Sequence, residues 1–265
     1  MDCDSFCDFT SRYACSALPE VKALERDVLG CDYGGTSWTT NDHVQHIISS
    51  LALDSSSRLL EVGSGSGWPG LYLSTETGCN VTLVDMPLLA LEHAQERAAI
   101  DDIVERVSVV NGSGAALPFA DASFDRLSHS DVLCCLPEKL EMLKECRRVA
   151  TDDARMHFIV IEPATGLSSA EHERVLEAGP PFVDVPEGYK DLLRESGWNL
   201  EEHIDVTDQY GDTLGKEIAG LKKHAAALEE AYGADELCAM SDRRENAMNH
   251  AHANMLQRFI YVVTA

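Results

Sequence analysis

Long apolar runs are missing from this chain of 265 residues, and no stretch approaches the roughly eighteen consecutive apolar residues that a membrane span requires. The first ten residues are acidic and hold no apolar signal core, so a soluble, unsecreted, cytoplasmic protein is expected. Cations are scarce as well: 21 Lys and Arg stand against 45 Asp and Glu, a formal net charge of -24. Nucleic-acid affinity comes from Lys and Arg on phosphates, so DNA and RNA are poor substrates, and the acidity reads as a solvated surface. The nine cysteines include no CxxC pair and no matching His pattern. The i, i+4 pair Cys3 and Cys7, followed by Cys15 and Cys31, is therefore not read as a metal site, and no metal is expected. Scattered cysteines without an export signal read as reduced thiols.

There is no internal repeat and no low-complexity linker, and the length suits one α/β domain with embellishments. Residues 1–56 read as an N-terminal helical cap, with helical patterns at 20–29 and 42–53 around a loop at 33–40. Residues 57–265 read as the core, where short β-rich runs alternate with helical patterns, the signature of βαβ units and a parallel sheet. Seven strands are expected, at 58–62, 80–85, 107–111, 124–129, 156–162, 200–206 and 259–264. Helices are expected at 87–100, 137–149 and 189–196, the last stopped by Gly197. An Ala- and Glu-rich helical insertion at about 213–256 precedes the last strand, either as a lid or as cover for the sheet edge.

The sharpest motif is Leu59-Leu60-Glu61-Val62-Gly63-Ser64-Gly65-Ser66-Gly67, an apolar strand running into alternating glycines and then a helix. Glycines there let the backbone turn tightly and let a ligand approach without a Cβ in the way. Gly65, Gly67 and Gly70 also satisfy the GxGxxG spacing of dinucleotide binders, but the register disagrees. Gly63 takes the place directly after the strand, and Gly70 falls behind Pro69 inside the helix. Glu61 at the strand end suits a cationic amino-acid ligand better than a pyrophosphate. Asp85 closes the second strand about twenty residues on, where a carboxylate can accept from both ribose hydroxyls.

With Leu117-Pro118-Phe119-Ala120-Asp121-Ala122-Ser123-Phe124-Asp125 and Glu145-Cys146-Arg147-Arg148-Val149 added, residues 58–162 resemble class I S-adenosylmethionine-dependent methyltransferases of the small-molecule type. The resemblance implies a Rossmann-like fold: a seven-stranded, mostly parallel sheet with helices on both faces. It implies S-adenosylmethionine as cofactor and S-adenosylhomocysteine as product. Gly63, Ser64, Gly65 and Gly67 would lie under the methionine and ribose, Glu61 near the ammonium, Asp85 at the ribose hydroxyls and Met86 beside adenine. Relatives commonly carry Gly-Asp after the third strand, with the acid on the adenine amine. This chain has Gly112-Ser113-Gly114, so Ser113 and Gly114 take that place with a weaker acceptor. Thr151-Asp152-Asp153 replaces a Pro-Gly-Gly turn before the fifth strand.

Methyl transfer from a sulfonium is an in-line displacement that asks mainly for positioning, and a base matters only when the acceptor arrives protonated. His129, ending the fourth strand, is the leading candidate for base or cofactor contact, with Asp131 able to orient it, against the alternative of a strand-end histidine without chemistry. Glu162 at the fifth strand end and Tyr33, Trp38, Thr39 and His43 in the cap are further pocket candidates. Gly179-Pro180-Pro181-Phe182 is a candidate wall. Cys134-Cys135, which invites comparison with arsenite methyltransferases, sits in an apolar run and reads as core. The leading function is methyl transfer to a small-molecule N, O or C acceptor. A catalytically silent S-adenosylmethionine-binding protein is a second reading. A nicotinamide oxidoreductase is a third, disfavoured by the glycine register and the lack of a Tyr-Lys pair. The acceptor is not written in the sequence, because specificity resides in cap and insertion.

Overall fold

A computed structural model describes residues 9–265, with side chains from Arg12 onward, so Cys3 and Cys7 lie outside the described residues. Three helices come first: α1 (Phe9–Ser16), α2 (Pro19–Leu29) and α3 (Asn41–Leu51). Proline at the first turn of α2 gives up an N–H that has no helical partner, and Gly30 ends the helix in the left-handed conformation.

The core then alternates: β1 (Arg58–Val62), α4 (Gly70–Thr77), β2 (Asn80–Asp85), α5 (Leu88–Ile100), β3 (Val107–Asn111), β4 (Phe124–Ser130), α6 (Lys139–Val149) and β5 (Ala150–Pro163). After it come α7 (Ser169–Ala178), α8 (Tyr189–Ser196), β6 (Asn199–Asp205), α9 (Thr207–Lys223), α10 (Ala225–Tyr232), α11 (Ala234–His252) and β7 (Leu256–Thr264). Gly197 closes α8 in the left-handed conformation, as its sequence position predicts. The seven strands form one sheet in the order β3-β2-β1-β4-β5-β7-β6. Strands β1 to β5 run parallel, and β7 is antiparallel to both neighbours. The expected mostly parallel, seven-stranded Rossmann-like sheet is therefore present.

Helices cover both faces because both faces of the central strands are apolar. Leu60, Val62, Leu127 and Phe158 pack under α6 and α8, while Leu59, Val81 and Leu83 pack under α3, α4 and α5. Each such fully buried side chain contributes about 1.5–3 kcal/mol through its removal from water.

Two expectations are corrected here. The Thr151-Asp152-Asp153 segment is not a turn before the strand, because β5 already begins at Ala150. The pairing jumps from Phe124 with Ala150 to Arg126 with Arg155, so the extra residues are absorbed as a bulge in β5. The insertion starts earlier than residue 213, since α9 begins at Thr207, directly after β6. Inserted helices α9 and α11 pack on each other, α9 also on α2 of the cap, and α11 on α7 and β7.

Candidate active site

In an open α/β sheet, ligands bind beyond the carboxyl ends of the strands where the strand order reverses. Here that place is the crevice between β1 and β4, and a cavity of about 500 Å³ opens there. Gly63 and Gly65 follow β1 with φ of 68° and 53°, values that penalise any side chain. A Cβ on Gly63 would run into Val132, and one on Gly65 would overlap the Tyr13 hydroxyl. The turn is tied to β2 by N–H donation from Gly63 and Ser64 to the Val84 carbonyl, at 2.8 and 3.1 Å.

Two carboxylates flank the turn. Asp85 accepts from the Gly65 N–H at 2.6 Å and the Met86 N–H at 2.7 Å, and burial raises its pKa. Glu61 accepts from the Gly70 N–H at 2.9 Å. Burial, reinforced by the charge of Asp85 and opposed by that N–H, pushes Glu61 up to about 8. Both carboxylates line the cavity, as do Gly63, Ser64, Gly65 and Met86. Ser113 and Gly114 join them from the segment after β3. Among the described residues the buried Ser64 hydroxyl has no hydrogen-bond partner. Of the loop glycines proposed from sequence, Gly67 does not reach the cavity; it closes the turn by donating to the Ser64 carbonyl at 2.9 Å.

The acid/base candidates fare differently, and the structure does not bring His129, Tyr33 or Glu162 to the cavity. His129 is 1% exposed and stacks on Phe158 at 4.8 Å. Burial holds it down to about 3, a neutral ring that lies in a cross-strand row with Phe158, Tyr261 and His203. Tyr33 is buried against Trp68 away from the cavity, donating to Asp101 at 3.3 Å under the Arg97 guanidinium. Glu162 receives the Tyr261 hydroxyl at 3.2 Å, and burial raises it to about 7. His43 accepts from the Thr40 N–H at the start of α3, with its other nitrogen 3.1 Å from Gln209. Thr39 receives the Trp68 indole N–H at 2.8 Å through its carbonyl. Of the Gly179 to Phe182 wall only Pro180 lines the cavity, and the expectation that Cys135 is core is corrected, since its half-buried side chain lines the cavity beside a buried Cys134.

Tyr13 is a lining residue that the sequence reading did not name. Tyr13 reaches over Gly65 from α1, its hydroxyl 3.3 Å from Thr36. Trp38, which was expected, lines the cavity and donates its indole N–H to Glu217 of the insertion at 3.1 Å. Asp131, expected from sequence as a group able to orient His129, instead lines the cavity with its carboxylate gripped by Arg258 of β7, and among the described residues neither His129 nitrogen has a partner. A cation heading the apolar run Phe259 to Val263 was the available signal for that buried pair. Among the described residues, no group of three His, Cys, Asp or Glu side chains could hold a metal ion, and no helix is long and apolar enough to cross a membrane.

Residues 60–158 match the methyltransferase-domain family. Over these residues the chain is similar to class I S-adenosylmethionine-dependent methyltransferases. The chain is 31% identical over 162 residues to 27-O-demethylrifamycin SV methyltransferase of Amycolatopsis mediterranei, a match covering 59% of each chain. The chain spans 59% of the length of that relative, and 61% and 62% of two other curated relatives that it matches. Among solved structures, phosphoethanolamine N-methyltransferase 2 of Haemonchus contortus, in complex with S-adenosyl-L-methionine, superposes with a TM-score of 0.77 at 14% identity, covering 98% of this chain and 60% of that one. The [4+2]-cyclase SpnF superposes with a TM-score of 0.75 at 17% identity over 96% of both chains. At these identities the structural likenesses speak for the methyltransferase fold alone.

Proposed function

We propose that this methyltransferase moves the methyl group of S-adenosylmethionine to a small-molecule acceptor in the cytoplasm, without nucleic-acid or membrane partners. The observation that carries the reading is the joining, in one cavity, of the Gly63 to Gly65 turn, the Glu61 and Asp85 carboxylates and the Ser64 hydroxyl, which is unpartnered among the described residues. A ligand with an ammonium, a sulfonium and a ribose diol suits that donor and acceptor set, whereas a pyrophosphate would meet two carboxylates.

When bound, the cofactor supplies an electrophilic methyl: an acceptor lone pair forms the new bond to that carbon while the C–S electron pair returns to sulfur, leaving S-adenosylhomocysteine. Glu61 holds the amino-acid ammonium, and the backbone of Gly63, Ser64 and Gly65 lets the chain of the ligand pass. Asp85 accepts from the ribose hydroxyls. Met86, 67% exposed, is apolar surface for adenine, with Ser113 near the adenine amine. The described part of residues 1–56 acts as a cap on the core of residues 57–265, because Tyr13 and the segment from Gly35 to Trp38 wall the cavity. The free thiols of Cys15, Cys31, Cys79, Cys134, Cys135, Cys146 and Cys238 agree with a reducing compartment.

Calorimetric titration with S-adenosylhomocysteine and with NAD tests the reading. Saturable heat with the first and none with NAD is expected. Gly65→Val, which forces a side chain onto the Tyr13 hydroxyl at φ 53°, should remove the binding from a protein that still folds. NAD binding in place of S-adenosylhomocysteine would return the turn to the dinucleotide class.

A further inference from the structure

None of the cavity-lining residues is a histidine, and the reaction still needs something to aim the acceptor. The position from which to aim it is set by topology. The cofactor set of Glu61, Asp85 and Ser113 lies over β1, β2 and β3, so the open side of the crevice is the end of β4. Ser130, Asp131 and Val132 line the cavity there, and Val132 packs so closely on Gly63 that no Cβ would fit between them.

Asp131 is the unusual member of that segment. Its φ of 58° lies in the left-handed region, a conformation that costs a non-glycine residue about 1–3 kcal/mol and persists only where the surroundings fix it. They do so here from three directions. The Asp131 N–H donates to the Ile159 carbonyl at 2.8 Å, and its own carbonyl receives the Cys134 thiol at 3.4 Å. Arg258, 0% exposed, donates Nε to Oδ1 at 3.0 Å and Nη2 to Oδ2 at 2.7 Å. The third nitrogen of the same guanidinium donates to the Trp38 carbonyl of the cap at 3.1 Å. A buried ion pair of this kind is a poor device for stability, since apolar residues of similar volume usually serve as well. It is a good device for holding a carboxylate at one place on a wall. A carboxylate has about four acceptor sites, so the two contacts from Arg258 leave capacity toward the cavity.

We propose that Asp131 is the acceptor-orienting residue of this enzyme, accepting a hydrogen bond from an O–H or N–H of the acceptor so that the neighbouring lone pair faces the methyl carbon, with Arg258 as its positioning residue. The acceptor thus carries a hydroxyl or an amine within reach of the methyl carbon. This rests on the methyltransferase reading above.

The test needs no acceptor. Sinefungin carries an amine-bearing carbon where S-adenosylmethionine carries its methyl sulfonium, so its ammonium occupies the place of the transferred methyl. Its affinity relative to S-adenosylhomocysteine therefore reports what that place faces. Calorimetry on the full chain is expected to show sinefungin binding tighter, roughly tenfold or more, the worth of one charge-assisted hydrogen bond. Asp131→Asn, a residue that tolerates the left-handed backbone, should bring the ratio near one with S-adenosylhomocysteine affinity little changed. Because the single change strands a buried cation, the double variant Asp131→Asn with Arg258→Met is measured beside it and should give the same ratio. Arg258→Lys retains the charge but loses the fork and should lower the ratio part of the way. Glu61→Gln should weaken both ligands alike and leave the ratio intact. A ratio near one in the parent, or one unmoved in a folded Asp131 variant, overturns the assignment while the cofactor reading stands. An unmoved ratio in Arg258→Lys removes Arg258 from the positioning role. Failure of the parent to bind either ligand overturns both readings together.

Discussion

Glu61 is where sequence, burial and function meet in a single titration. Its ordinary value is near 4.3, and burial lifts it to about 8, so the folded chain carries a proton there that the unfolded chain has lost between those limits. The contribution of this group to stability is therefore full in acid, below about pH 4.3, and fades as pH rises through about 8. A ligand ammonium reverses the preference, because only the carboxylate pairs with it. Binding of S-adenosylhomocysteine at pH 7 is then expected to expel close to one proton, and its affinity to rise from pH 6 to pH 8. Calorimetry in phosphate and in Tris separates the two heats, and Glu61→Gln should erase the difference; identical heats in both buffers for the parent would sink the idea. Glu61 and the glycines were legible because strand, turn and acid follow one another within nine residues. His129 was misplaced for a physical reason: both faces of β4 are buried, so alternation along the strand does not say which side chain meets the crevice. Asp131 and Arg258 lie 127 positions apart, and Tyr13 meets Gly65 only after the cap folds back, so neither contact has a local signature.

At the level of elements, the strands were readable as short β-rich runs: β1, β2, β3, β4 and β7 share at least one end with the expected run, and β6 is offset from it by one residue. The fifth was not, because a bulge continues hydrogen bonding through residues that look like a turn. The insertion was readable as helix but not in its task. Its residues Glu217 and Arg244 pair at 2.8 Å with side chains 14% and 11% exposed, and Glu217 also takes the indole N–H of Trp38. Tyr210 of α9 meets the same indole edge-on at 5.5 Å. Helices that look like cover thus hold a wall of the cavity in place. Glu217→Ala strands a buried guanidinium and frees the indole, and the loss of a buried partner typically costs about 3–5 kcal/mol. For a chain of this size that corresponds to a melting temperature lower by roughly ten degrees, measured by calorimetric or circular-dichroism melting. A melting point within about a degree of the parent would mean that Glu217 does not tie insertion to cap.

For the whole molecule the dominant fact is the charge of -24. Many of the described ion pairs are exposed, such as Lys144 with Glu195 and Lys222 with Glu245, and pairs of that kind contribute little each. What remains is a large uncompensated negative surface that repels itself in the compact state more than in the expanded chain. The screening length is about 10 Å at 0.1 M salt and about 3 Å at 1 M, so the repulsion between exposed carboxylates is largely removed across that range. The buried pairs, Asp131 with Arg258 and Glu217 with Arg244, are shielded by the protein and should respond far less. Folding stability is therefore expected to rise steadily as sodium chloride is increased from about 0.05 to 1 M, the opposite of what a fold held by surface ion pairs would do. Melting curves in sodium chloride and in potassium chloride should rise in parallel, because screening depends on ionic strength and not on which monovalent cation supplies it. A melting temperature that is flat or falls over this range would show that self-repulsion is not a governing term in this protein.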